Sequence, residues 1–202
     1  MANSKKKFPG WAIALIIIVV LVLGCVRKYT GTYNHMVALD ENVSTTWAQV
    51  QNQYQRRFDL IPNLVNTVKG YASHEAETLE KIVAERAKMG GSVTINANDQ
   101  EALNRFMEQE QKITSSLQRL MAVTESYPDL KANQNFLALQ DELEGTENRI
   151  ATERKRFNDS VQIYNSYIRR FPNNFIANMS GFEKKAYFAA GSEAQGAPKV
   201  DF

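Results

Sequence analysis

Apolar side chains recur every three or four residues along most of this chain, and that spacing restricts it to amphipathic α-helices packed on one another. The first run reads Tyr33, Val37, Val43, Trp47, Val50, Tyr54 and Phe58, and it carries on around Pro62 as Ile61, Leu64, Val65, Val68, Ala72, Leu79, Ile82 and Val83. Pro62 lacks a backbone donor and its ring crowds the preceding turn, so a bend or restart is predicted between Asp59 and Pro62. Gly70 and Ser73 form a second weak point, and Gly90 and Gly91 close the run with residues suited to a left-handed cap.

The segment SVTINAND reads as a loop, and the only strand-like pattern lies inside it at Val93 to Ile95. Asn98, with Glu101 three residues on, resembles a capping box at the next helix start. That helix presents Leu103, Phe106, Ile113, Leu117 and Leu120, and stops at Tyr127-Pro128 because a residue before proline is pushed away from helical angles. After a turn through Asp129 to Asn133, a third stripe runs Phe136, Leu139, Leu143, Ile150, Phe157, Val161, Tyr164 and Ile168, close to a heptad spacing, and ends at Phe171-Pro172. A short helix follows at Asn174 to Met179, stopped near Gly181, then a segment Phe182 to Ala190. Such stripes are buried only against each other, so the predicted fold is all-α: an N-terminal membrane or signal helix, then an elongated antiparallel bundle of three to four long helices.

The N-terminus adds a second constraint. Phe8 to Val26 carries no charge, is preceded by Lys5, Lys6 and Lys7, and is followed by Arg27 and Lys28. Nineteen helical residues reach about 28 Å, near the roughly 30 Å of a bilayer's hydrocarbon layer. The same stretch also reads as a signal peptide, with Trp11 to Leu23 as its apolar core and Gly24-Cys25 behind it. Val22 and Gly24 suit a bacterial lipobox, whereas Leu23 is bulkier than the residue usual between them. Two readings of Cys25 follow: an unmodified thiol in the bilayer, or the lipidated first residue of a lipoprotein. The chain thus divides into an anchor at 1–28, a bundle at 29–190 and a small, polar, disordered tail at 191–202. The flanking charges favour a cytoplasmic N-terminus and an extracytoplasmic bundle.

Chemistry is sparse. The one cysteine excludes an internal disulfide and a cysteine metal cluster, and the net charge of +2 gives no footprint for nucleic acid. His74-Glu75 begins like the zinc-protease helix HExxH, but the fifth position is Thr78, and without a second histidine one turn on the metal loses its two-point grip. His35 lies on the membrane-proximal part of the first helix as an ordinary interfacial histidine. No nucleophile elbow, phosphate loop or dinucleotide fingerprint is present, so neither enzyme activity nor a cofactor is expected.

Two groups of residues exceed this plain reading. In QRRFDLIPNL, Arg56, Arg57 and Asp59 adjoin Pro62, where one bidentate arginine–carboxylate contact would pin a corner; the alternative is a local salt bridge of little worth. Asn158 and Asn165 are seven apart and follow Phe157 and Tyr164, so both amides lie along one line beside the apolar stripe. There they either fix helix register or simply face solvent. Together with the turn Tyr127, Pro128, Asp129 and Asn133, these are the candidate structural residues.

The stretches YNHMVALDENVSTTWAQVQNQYQRRFDLIPNLVNTVKGYASHE and AVTESYPDLKANQNFLALQDELEGTENRIATERKRFNDSVQIYNSYIRRFP make the chain resemble the LemA family across about residues 29–188. The resemblance implies a bacterial membrane-anchored helical bundle and supplies no catalytic residues. It also implies a short N-terminus on the outside, opposite to the charge count. Two roles are compatible with an anchored rod: a self-assembling envelope scaffold whose partners are the membrane and other copies, or an adaptor for a membrane protease, sensor kinase or other envelope protein.

Overall fold

The computed structural model describes residues 10–88 and 99–188. Its elements are α1 (Gly10–Lys69), a 3-10 turn at Ser73–Glu75, α2 (Ala76–Lys88), α3 (Gln100–Thr124), α4 (Pro128–Lys131), α5 (Gln134–Arg169) and α6 (Asn173–Ser180), followed by a non-helical strap at 182–188. The described residues contain no strand, so the fold is all-α. Gly90 and Gly91, the strand-like Val93 to Ile95, Asn98 and the tail at 191–202 lie outside the described residues.

Helix α1 carries both the apolar N-terminal segment and the bundle spine. Its 60 residues run without interruption and reach about 90 Å. Its apolar N-terminal window is bare of protein cover, and burial begins only at Thr32. Helices α1 and α5 pack antiparallel as the central pair, which brings Trp47 against Phe157 and His35 against Tyr167 at the membrane-proximal end. Helix α2 folds back on α1, and α3 packs on α2 while sending Phe106 edge-on to Tyr54. The core is continuous through Met36, Trp47, Tyr54, Phe58, Ile82, Leu103, Phe136, Phe157 and Tyr164. Burying each of the larger of these side chains contributes roughly 1.5–3 kcal/mol.

Three local expectations are corrected. Of the bend or restart expected at Pro62, the restart does not occur: α1 runs through it. Proline deprives the carbonyl four residues back, that of Phe58, of its helical partner, and Arg86 on α2 supplies the missing donor: its Nε reaches the Phe58 carbonyl at 2.8 Å. Secondly, Tyr33, Val37 and Val83 are exposed at the edge of the stripe, and Thr32 and Met36 take the inner positions. Stepping back seven residues from Val43 leads to Met36 rather than Val37. Thirdly, Asp99 caps α3, its Oδ1 accepting from the backbone N–H groups of Glu101 and Ala102 at 2.9 and 3.0 Å.

The Arg86 contact yields a test. Arg86→Ala is expected to lower unfolding stability by about 1–3 kcal/mol, because the Phe58 carbonyl loses the Arg86 donor. Adding Pro62→Ala to that variant restores a backbone donor and should recover most of the loss in a denaturant titration of the detergent-solubilised protein. Additive losses would show that Arg86 does not act through the Phe58 carbonyl.

Candidate functional site

Two constellations in the middle and lower bundle hold the chain's buried polar chemistry. The first centres on Arg57, whose side chain is 0% exposed. Of the two adjacent arginines, Arg57 continues the inward series Val50, Tyr54, Ile61 and Leu64, while Arg56 points outward. Arg57 Nη1 donates to Glu110 Oε1 on α3 and Glu147 Oε1 on α5, each at 2.8 Å, and to Thr114 Oγ1 at 3.2 Å. The guanidinium carbon also sits 5.3 Å from the Tyr54 ring centre and 5.8 Å from that of Phe58, where the negative ring faces favour a cation. Burial opposes the charge, yet Glu110 and Glu147 outweigh it and hold the Arg57 pKa above its ordinary value. Burial first, and Glu110 next, push the Tyr54 hydroxyl well above the usual phenol range.

The second constellation is an amide clamp on the strap. Asn165 Nδ2 donates to the Lys185 carbonyl and Asn165 Oδ1 accepts from the Lys185 N–H, both at 2.9 Å. Asn158 does the same to Phe188, at 3.0 and 2.9 Å. Gln100, at the start of α3, repeats the pattern on Tyr187, at 3.0 and 3.1 Å. Seven helical residues advance about 10.5 Å and three extended residues about 10 Å, so the Asn158–Asn165 spacing matches a nearly extended chain. The amides therefore stand in for a neighbouring strand, bonding to main chain regardless of side-chain identity. Phe188 packs against Trp47 and Phe157, and Arg154 covers its ring at 4.8 Å. Lys185 Nζ pairs with Asp40 Oδ1 at 2.6 Å, and Tyr164 donates to the Glu183 carbonyl at 3.0 Å. Burial, with Asp40 and Glu183 behind it, pushes the Tyr164 pKa up to about 12.

The remaining sequence candidates lie beside Arg57 and at the turn between α3 and α5. Arg56 pairs with Glu142 on α5, both side chains partly in water, and Asp59 accepts from Gln55 Nε2 at 2.9 Å. Pro128 opens α4 with Asp129 in its first turn, while Tyr127 donates to Glu75 at 3.2 Å. Asn133 caps α5 by accepting from the Phe136 N–H at 3.0 Å, and its Nδ2 reaches the Tyr71 hydroxyl at 2.8 Å. The α4 turn is thereby tied to the far end of α1. Cys25 is exposed on the bare part of α1, and His35 and His74 are exposed. Among the described residues no group of three His, Cys, Asp or Glu side chains is placed to hold a metal ion.

Residues 46–202 match the LemA family, from the Trp47 turn of α1 onward. The chain belongs to the LemA family. Its relatives include the magnetosome protein MamQ 2 of Paramagnetospirillum magneticum, 28% identical over 87% of this chain and 71% of the relative. The magnetosome protein MamQ of Magnetospirillum gryphiswaldense is 25% identical over 86% and 71%, and the protein LemA of Metamycoplasma hominis is 25% identical over 80% and 71%. The chain is accordingly a membrane-associated protein of LemA type, with one N-terminal apolar helix continuous with its bundle.

Sequence reasoning placed the two asparagines of this LemA protein on one line but assigned their amides to helix register or to solvent; they hold main chain of the strap. It missed Gln100, Glu110, Glu147 and Arg86 altogether. Arg57 carried a usable signal, since it alone of the arginine pair falls on the inward stripe.

Arg57→Met is expected to lower unfolding stability by about 3–5 kcal/mol, because Glu110 and Glu147 then lose their shared cation. Arg56→Ala, by contrast, should leave the denaturation midpoint almost unchanged. For the strap, Asn165→Ala removes both bonds to Lys185 and should speed amide exchange at 182–188 about tenfold or more, with α2 unaffected, as read by hydrogen-exchange mass spectrometry. Unchanged strap protection would exclude the clamp as what holds it.

Proposed function

We propose that this protein is a non-enzymatic scaffold of the bacterial envelope, holding a rigid helical bundle at a set position on the membrane and assembling with further copies of itself. The observation that carries this reading is the continuity of α1: the apolar segment read as the bilayer span and the central bundle strut belong to one helix that runs through Pro62. The ionic and amide constellations bond helix to helix and helix to strap, which supports a structural reading of them. Confinement of the anchors to two dimensions raises the effective concentration of bundles, so modest side-by-side contacts suffice for assembly. The apolar groove between α1 and α2, lined by Val65, Leu79, Val83, Ala84 and Ala87, is our candidate contact with a second copy.

The bundle is placed outside the cytoplasm, on the charge asymmetry around the apolar segment. That segment is read as an uncut span; a chain cleaved before Cys25 and lipidated there would show a lower intact mass. An adaptor role is the second reading, and the amide clamp favours it: a groove that recognises main chain can take an extended segment of a partner in place of the strap.

Crosslinking of intact cells with a membrane-impermeant reagent, followed by sizing and mass spectrometry, tests the assignment. A ladder of homo-oligomers is the expected result, and Val83→Asp should shorten it. A single heterologous adduct would replace the scaffold by the adaptor, and absence of labelling would overturn the orientation.

A further inference from the structure

Helix α6 has an apolar face that the bundle does not use. Phe171 ahead of it, and Phe175 and Met179 within it, are spaced four apart and are 82%, 67% and 72% exposed. The opposite face is already spent on the core through the buried Ala177 and the half-buried Ile176. Phe171 and Phe175 are packed edge to face, with ring centres 6.1 Å apart, so the outward face is an ordered aromatic pair plus a methionine. Among the described residues nothing covers it.

Its position says what does. The Ser180 hydroxyl at the end of α6 lies 3.4 Å from the Tyr29 hydroxyl, and Tyr29 directly follows Lys28, the last charge flanking the apolar segment. Because α1 is unbroken there, Tyr29 sits within about 2 Å along the axis of that boundary. Phe182 packs on Tyr33, one turn higher, so α6 is held at the level where the helix leaves the membrane. The same level holds if Cys25 is lipidated instead, since the lipid then enters the bilayer four residues from Tyr29. Charge agrees with this placement: Arg169, Arg170 and Lys184 are exposed beside α6, and Arg27 and Lys28 beneath it, against the single exposed Glu183.

We propose that α6 is a second membrane contact, a foot whose Phe171, Phe175 and Met179 enter the interfacial layer of the bilayer that holds α1, with the neighbouring arginines on anionic headgroups. An amphipathic helix with an aromatic face and basic flanks is suited to lie at that depth, and α6 is delivered there by the anchor rather than by its own affinity. The foot gives the bundle a second point of support, so the rod is held against tilting and rotation as well as against departure.

The proposal rests on residues 10–28 lying in the membrane, and the test separates the two. Full-length protein carrying Cys25→Ala and one new cysteine at position 19, 163, 175 or 179 is nitroxide-labelled and reconstituted into phosphatidylcholine–phosphatidylglycerol vesicles. Collisions with oxygen, which concentrates in lipid, are compared with collisions with a water-soluble nickel chelate. Labels at 175 and 179 are expected to favour oxygen, as the label at 19 does, and the label at 163, exposed higher on α5, to favour nickel. Arg169→Glu with Arg170→Glu should reduce the oxygen preference at 175 several-fold in these vesicles and much less in phosphatidylcholine alone. Nickel access at 175 and 179 equal to that at 163 overturns the foot while leaving the anchor intact. Spin–spin broadening at 175 that vanishes on dilution with unlabelled protein overturns it in favour of a second copy. Nickel access at 19 refutes the membrane placement on which the foot depends.

Discussion

A guanidinium removed from water must find its partners in protein, and Arg57 draws carboxylates from two other helices onto Nη1 alone, leaving its buried Nε and Nη2 without a hydrogen-bond partner. Because Glu110 belongs to α3 and Glu147 to α5, satisfying one charge fixes the axial position of both helices against α1. Apolar packing alone tolerates a slip of one turn along a stripe, since Val, Leu and Ile replace one another at little loss. A slip here would strand a buried charge. The contacts above and below inherit that register: Arg56 with Glu142, Thr46 with Ser160 at 2.8 Å, and the Asn158 and Asn165 amides opposite the strap. Such an ion cluster contributes less to net stability than its contacts suggest, because desolvation offsets much of the attraction. Its effect is to exclude other arrangements.

How much of this was legible depends on how local each determinant is. Helix type and approximate extent follow from spacing alone, and the buried apolar residues of α3 and α5 were all named, while the buried Ser116, Thr124, Thr146 and Ser160 were not. The errors have one physical character. Pro62 was read by a rule that looks four residues back, whereas the compensating donor comes from Arg86, in another helix. Tyr33 and Val37 were counted as core because they fit the three-to-four spacing, which does not tell the edge of a stripe from its centre. The strap presents its main chain to the amides, and main chain carries no sequence signal. Only the seven-residue interval between Asn158 and Asn165, set against a three-residue advance of extended chain, contained the clue.

The two polar constellations divide the labour along the rod. The ionic one lies mid-bundle and depends on exclusion of water; the amide one lies lower, is neutral, and has its outer edge in solvent. A charged cluster is sensitive to loss of any one member, because the others remain charged. A set of amides loses its hold bond by bond. The strap is therefore the part of the lower bundle that can open without dismantling the helices, and the α1–α5 pair is the part that cannot.

If the apolar segment of α1 spans a bilayer, the continuous helix is also a lever. From Lys28 to Lys69 the axis runs about 60 Å. Spans adjust their tilt to the thickness of the bilayer around them, commonly over tens of degrees. A change of about 10° at the membrane would carry the distal turn of α1 sideways by about 10 Å, the width of a whole helix. In that arrangement, thickness and curvature of the lipid would be converted into lateral displacement at the opposite end of the molecule.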